Sequence, residues 1–132
     1  LRPIDVRDAG GLERLLASFA QLPNGGMIVT SAGSTVGRDL IIALAQKHRL
    51  PTVYPFRSLV SAGGLISYGP NLVENYRKAG GYADRILKDE KPSDLPVQAP
   101  IKFELIINLR TARAIGLEVP PSLLARADEV IE

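Results

Sequence analysis

Three places in this 132-residue chain carry side chains whose type and spacing suit chemistry. Phe56-Arg57 follows the short apolar run Thr52-Val53-Tyr54 and falls in a stretch that a core does not need. Arginine presents a planar, permanently charged fork that fits a carboxylate. A surface arginine paired with Asp or Glu is the plainer alternative, and the residues alone leave both open. Tyr68, within Ser67-Tyr68-Gly69 at the end of a second run, either stacks on a ligand or fills the core with its hydroxyl bonded. The third place is Gly33-Ser34-Thr35-Val36-Gly37, where a strand turns into a helix and backbone N–H groups attract anions. A phosphate loop needs a lysine after its last glycine, whereas Arg38 follows Gly37 without the full spacing, so a turn and helix cap is favoured. The hydroxyls of Ser31 and Ser34 facing a small polar ligand remain a milder use of the same loop.

Other candidates are weaker. His48, the only histidine, lies between Lys47 and Arg49 near a helix end, where it complements the helix dipole or faces water. No Ser or carboxylate is spaced with it as a triad, and no second histidine is there for a metal. The carboxylates are spread singly, mostly opposite apolar stripes, so no acid and base pair stands out. The absence of cysteine removes disulfides, thiolate catalysis and Cys-based zinc sites. No catalytic residue, metal ligand set or cofactor is expected.

These residues need elements to hold them. Apolar residues make up 45% and charged ones 23%, which describes a globular domain. Sixteen basic and fourteen acidic residues alternate without a basic block, so a phosphate-contacting face for nucleic acid is not indicated. Residues 15 to 37 are uncharged, but Pro23-Asn24-Gly25-Gly26 breaks them, and no membrane span is expected. The first residues lack the order of a signal peptide and the chain starts at Leu1, so it reads as cut from something longer.

Ile4 and Val6 alternate with charge as a short strand, and Asp8 then caps a helix over Leu12, Leu15, Leu16, Phe19 and Ala20. Met27-Ile28-Val29 suits a strand covered on both faces. A second helix is expected from Ser34 or Thr35 with Val36, Leu40, Ile41, Leu44 and Ala45 buried, followed by the strand Thr52-Val53-Tyr54. Strand, helix and strand in this order give parallel neighbours. The longest helix spans Leu72 to Leu87, starts at Pro70-Asn71 and is stopped by Lys91-Pro92. Gly80-Gly81 in its middle calls for another backbone packed closely there. Ser93 to Pro100 is an extended connection. Phe103 to Leu109 alternates as a strand with one polar face at Glu104 and Asn108; Asn108 or Thr111 caps a short helix ended by Gly116, Pro120-Pro121-Ser122 opens another, and Val130-Ile131 adds a terminal strand.

Several ordered motifs carry a family resemblance. Tyr54-Pro55-Phe56-Arg57, Gly63-Gly64-Leu65-Ile66-Ser67-Tyr68-Gly69-Pro70-Asn71, Tyr82-Ala83-Asp84-Arg85-Ile86-Leu87-Lys88, Lys91-Pro92-Ser93-Asp94, Lys102-Phe103-Glu104-Leu105 and Leu123-Leu124-Ala125-Arg126-Ala127-Asp128 span nearly the whole chain. Together they resemble the ABC transporter substrate-binding proteins related to tryptophan-binding transport components. The resemblance implies an α/β fold with a mostly parallel sheet flanked by helices, an incomplete type I periplasmic-binding-protein fold of which only the C-terminal part is present. Two lobes joined by three crossovers hold a small solute in such proteins. Residues 1 to about 60 are then expected in the second lobe, about 61 to 101 in a hinge crossing and a long helix for the missing lobe, and about 102 to 132 in the final strand and helices.

The same resemblance gives Phe56 and Tyr68 to stacking on the solute and Ser31, Ser34, Arg57 and Ser67 to polar contacts. It implies an importer component without catalysis, a membrane permease as partner, a small organic solute such as an amino acid or aromatic acid, and a periplasmic or extracytoplasmic location. The helix Leu72 to Leu87, lacking its usual partner, is expected to fold onto the chain's own sheet or to form a homodimer. The competing expectation is a small α/β enzyme or regulatory domain that takes a phosphorylated ligand at Ser31 to Gly37.

Overall fold

A computed structural model describes residues 9–30 and 37–132. The expected strand at Ile4 and Val6, the Asp8 cap and the loop Ser31 to Val36 lie outside the described residues. Among the described residues twelve regular segments follow one another. They are α1 (Ala9–Phe19), β1 (Met27–Ile28), α2 (Arg38–Lys47), β2 (Thr52–Tyr54), α3 (Arg57–Ser61), β3 (Ile66–Pro70), α4 (Leu72–Leu87), a 3-10 turn (Pro92–Asp94), β4 (Phe103–Asn108), α5 (Leu109–Ile115), α6 (Pro121–Leu124) and β5 (Glu129–Ile131).

The five strands of the described residues form one sheet in sequence order, β1 to β5. β1 pairs parallel with β2, β2 with β3, and β4 with β5. β3 and β4 run antiparallel, with Ser67 opposite Ile106 and Tyr68 opposite Leu105. The steps from β1 to β2 and from β2 to β3 go the same way across the sheet. Right-handed connections therefore lay α2 and α3 on one face. On that face Leu12 and Leu16 of α1, Ile41 and Leu44 of α2, and Leu59 of α3 close over Val29 and Tyr54 as the main core.

Among the described residues the opposite face is left open beside β1 and β2. Ile28 is 68% exposed, and its parallel neighbour Val53 is also exposed. The strand expected to be covered on both faces is thus covered on one, because the one-way winding puts its helices on one side. α2 also starts later than the apolar pattern suggests. Gly37, at φ 75 and ψ 30, is left-handed and cannot lie within the helix, which opens at Arg38. Ile42 takes a buried place while Leu40 faces out.

Two asparagines cap the helices that leave the sheet. The Asn71 side chain accepts from the Glu74 N–H at 2.9 Å, and the Asn108 side chain accepts from the Thr111 N–H at 3.0 Å. Asn108 is buried and also donates to the Val60 carbonyl at 3.2 Å, which ties α3 to β4. The polar face expected of β4 is therefore not solvated at its end; Ile106, Ile107 and Asn108 are all buried. Left-handed Gly116 ends α5 as expected.

α4 has the expected length, but no residue of it is buried. It ends at Leu87, ahead of Lys91-Pro92. It has not folded back onto the sheet, and Tyr76 on its apolar stripe is 75% exposed. Nothing lies within 4 Å of a methyl group placed on Gly80 or Gly81, so the close backbone expected there is missing among the described residues. Among the described residues no helix is long and apolar enough to cross a membrane.

Candidate functional site

The geometry at the end of β2 and β3 starts from Gly69. A methyl group on this residue would stand 1.9 Å from the Pro55 carbonyl oxygen, so only glycine lets β3 come so near the chain leaving β2. That approach fixes where Pro55 hands the chain to Phe56 and Arg57. Phe56 is partly buried and packs against the main core. Arg57 was expected in a loop; it is instead the first residue of α3.

Arg57 has found a carboxylate within its own chain. Its Nε donates to Glu129 at 2.9 Å and one terminal nitrogen donates to the other carboxylate oxygen at 2.6 Å, a two-pronged contact across 72 residues. Its other terminal nitrogen donates to the Ser61 hydroxyl at 3.3 Å. The hydrogen bonds that Arg57 donates to Glu129, and the charge of that carboxylate, hold the guanidinium's pKa above its ordinary value. Both partners remain half open to water, so the pair adds at most about 1 kcal/mol to stability.

Phe56 and Arg57 line an open groove of about 420 Å³ at this end of the sheet. Its other side is the first turn of α4, at Leu72 and Val73, and its acidic rim is Glu104, Asp128 and Glu129. These groups are tied to the frame. Glu104 accepts from the Asn71 side chain at 2.6 Å, and Asp128 accepts from the Leu105 N–H at 2.8 Å. Lys102 stands 3.6 Å from Glu104. The groove thus mixes one aromatic ring, one guanidinium and three carboxylates, a polar rim over an apolar floor of the kind that orients a small molecule.

The sequence candidates do not all meet there. Successive strand residues point to opposite faces, so Ser67 and Tyr68 diverge. Ser67 is 1% exposed beneath α3, opposite Ile106 in register. Tyr68 is 61% exposed on the other face, where its ring stacks on Phe103 at 5.7 Å between centroids and 27° between planes. Neither lines the groove. Ser31 and Ser34 lie outside the described residues, as does the proposed phosphate loop except for Gly37, which caps α2 without a side-chain bond. His48 sits at the C-terminal end of α2, and its Nε2 is shielded with no partner among the described residues.

Glu104, Asp128 and Glu129 were missed by sequence reasoning. Glu104 stands far along the chain from the adjacent Asp128 and Glu129, and antiparallel pairing of β4 with β3, with β5 parallel to β4, brings them to the ends of β2 and β3. The pairing of Asp128-Glu129 with the start of a terminal strand was the only available signal.

Strand ends with an aromatic and a cation beyond them, beside a groove, are the place where α/β sheets hold ligands. The chain belongs to the ABC transporter substrate binding protein family, whose model matches residues 4–131. No curated protein matches it. Among solved structures it is similar to an ABC domain in complex with L-Trp from Streptococcus pneumonia, with 21% identity and a TM-score of 0.82 over 98% of this chain and 44% of that one. A conserved domain protein from Vibrio cholerae gives 21% identity and a TM-score of 0.77, over 93% and 42% of the two chains. The ligand-free, open structure of a substrate binding protein with adhesive properties from Clostridium difficile gives 21% and 0.66, over 96% and 42%. The chain therefore spans less than half the length of the solved structures it matches.

Proposed function

We propose that this chain is one part of the solute-binding component of an ABC-type importer, which closes two lobes on a small organic solute and presents it to a membrane permease without catalysis. The observation that carries the reading is the groove at the ends of β2 and β3, in a chain of the substrate-binding family. An amino acid or aromatic acid suits a ring beside a guanidinium, and the L-Trp complex of a similar structure favours that class. In this reading the protein works outside the cytoplasm and has the type I fold of two lobes. Residues 1 to about 60, β3 and about 102 to 132 then build one lobe, and the crossing expected over about 61 to 101 leaves it after Pro70, where β3 ends.

The proposed contacts are Phe56 stacking on the solute and Arg57 meeting its carboxylate. Ser31 and Ser34 add polar contacts from the neighbouring loop. Tyr68 and Ser67 belong to the strand leading to the crossing, and Tyr68 reaches the solute only when the second lobe brings it near. Calorimetry on the full-length protein tests this with L-tryptophan and related acids. Arg57→Ala is expected to weaken binding about 30-fold, the loss of one charge-assisted contact, and Tyr68→Ala to weaken it less. Unchanged affinity in both variants would sink the assignment.

The exposed stripe of α4 fits the second lobe better than a second copy of this chain, since the paired glycines call for a close backbone and the matched structures are more than twice as long. Gly80→Ala separates these surroundings. In the 132-residue chain, where the site is open, it should stabilise by about 1 kcal/mol in urea unfolding, the helix propensity difference. In the full-length protein the added methyl should meet the docked lobe and lower stability. Equal stabilisation in both would show that no backbone docks at Gly80, and a dimer of the short chain in sedimentation would favour the second copy.

A further inference from the structure

We propose that Glu129 is the positioning residue for Arg57, holding the guanidinium so that its remaining donors receive a carboxylate of the solute; this rests on the solute-binding reading above. Arginine has five N–H donors. Two go to Glu129 and one to Ser61, which leaves two without a partner among the described residues. An unheld arginine would sample many rotamers above an open groove and lose that freedom on binding. Here the two-pronged contact fixes the plane of the fork, and Ser61, one turn along α3, fixes its rotation.

The anchor comes from a well-held element. Glu129 opens β5, which pairs with β4 through Ile106 and Glu129 in register. The preceding residue, Asp128, is bound through its side chain to the Leu105 N–H and through its own N–H to the Leu105 carbonyl, each at 2.8 Å. The carboxylate therefore stands at a fixed height over the groove, and the contact leaves two donors of the fork free among the described residues. The free edge favours a solute with a planar anion, and the remaining acidic rim, Glu104 and Asp128, disfavours one with a second negative charge.

The test compares wild type, Glu129→Gln and Glu129→Asp in the full-length protein. Calorimetry with L-tryptophan and with L-tryptophanamide reads the carboxylate preference, and NMR of the Arg57 Nε–Hε group reads how it is held. Wild type is expected to prefer the acid. Glu129→Gln should weaken L-tryptophan about fivefold, the upper range for an exposed ion pair, leave the amide unchanged, and remove the protected Nε–Hε signal. Glu129→Asp should recover part of the preference. An undiminished preference for the acid in Glu129→Gln overturns the proposal, as does an Nε–Hε signal indifferent to residue 129. Wild type binding neither compound overturns the carboxylate assignment and the solute reading together. Binding of both with no dependence on Glu129 overturns only the positioning role.

Discussion

Gly69→Ala is expected to destabilise the protein by about 4 kcal/mol, at the far end of what single substitutions do. The new methyl would lie 1.9 Å from the Pro55 carbonyl oxygen and 2.9 Å from its carbon, and both belong to backbone that cannot rotate away. Relief requires β3 to withdraw from the chain leaving β2. Two things hold β3 in place: parallel pairing through Tyr54 and Ser67 on one side, and five register pairs with β4 on the other. The shift therefore falls on Pro55 and is passed directly to Phe56 and Arg57. Urea unfolding should show the midpoint move sharply down. In any folded fraction the Arg57 to Glu129 contact should be lost, because α3 starts at the residue that moves. Gly116→Ala is the control. That glycine is left-handed at φ 77 but has open space around it, so the substitution costs only about 1 kcal/mol of backbone strain. Equal losses at the two positions would show that the close approach of β3 does not set the site.

What could be read from the chain alone was local. The span Leu72 to Leu87 follows from apolar spacing between a capping Asn71 and the breaks after Leu87, and both ends are set within a few residues of it. Asn108 and Gly116 bracket α5 for the same reason, since a cap acts on the residue three along. The family resemblance rested on short ordered motifs of this kind. The site depends on contacts between distant residues, which leave no local trace. Arg57 and Glu129 are 72 apart, and Gly69 meets Pro55 only once β2 and β3 are side by side. Ser67 and Tyr68 were read together because they are adjacent, yet the two-residue period of a strand sends one into the core and the other to the open face. Burial of Ile28 failed to follow from its apolar neighbours because coverage depends on which way the chain winds. Gly80-Gly81, where a close backbone is expected, has none against it among the described residues.

Alkaline pH should loosen the same corner through Tyr54. This residue closes β2 and is 2% exposed beneath Gly64, where a methyl group would stand 2.7 Å from its ring. Burial pushes its phenol from 10.0 up to about 12, with the nearby Thr52 hydroxyl opposing the shift in part. The neutral phenol is the folded form. In the unfolded chain it ionises near 10, so between pH 10 and 12 only the unfolded state releases the proton, and stability falls as pH rises. That stability is fully present below about pH 10, and roughly 2 to 3 kcal/mol of it is lost once pH passes the folded value, from a shift of about two units. The measurement is a difference that isolates the Tyr54 hydroxyl: urea midpoints of wild type and Tyr54→Phe from pH 9 to 12. The variant should track wild type up to pH 10 and then hold stability that wild type loses. Parallel curves would mean that the phenol ionises without unfolding the core around it. Because Tyr54 is followed directly by Pro55 and Phe56, solute affinity of the full-length protein should fall over the same pH range in wild type and survive further in Tyr54→Phe.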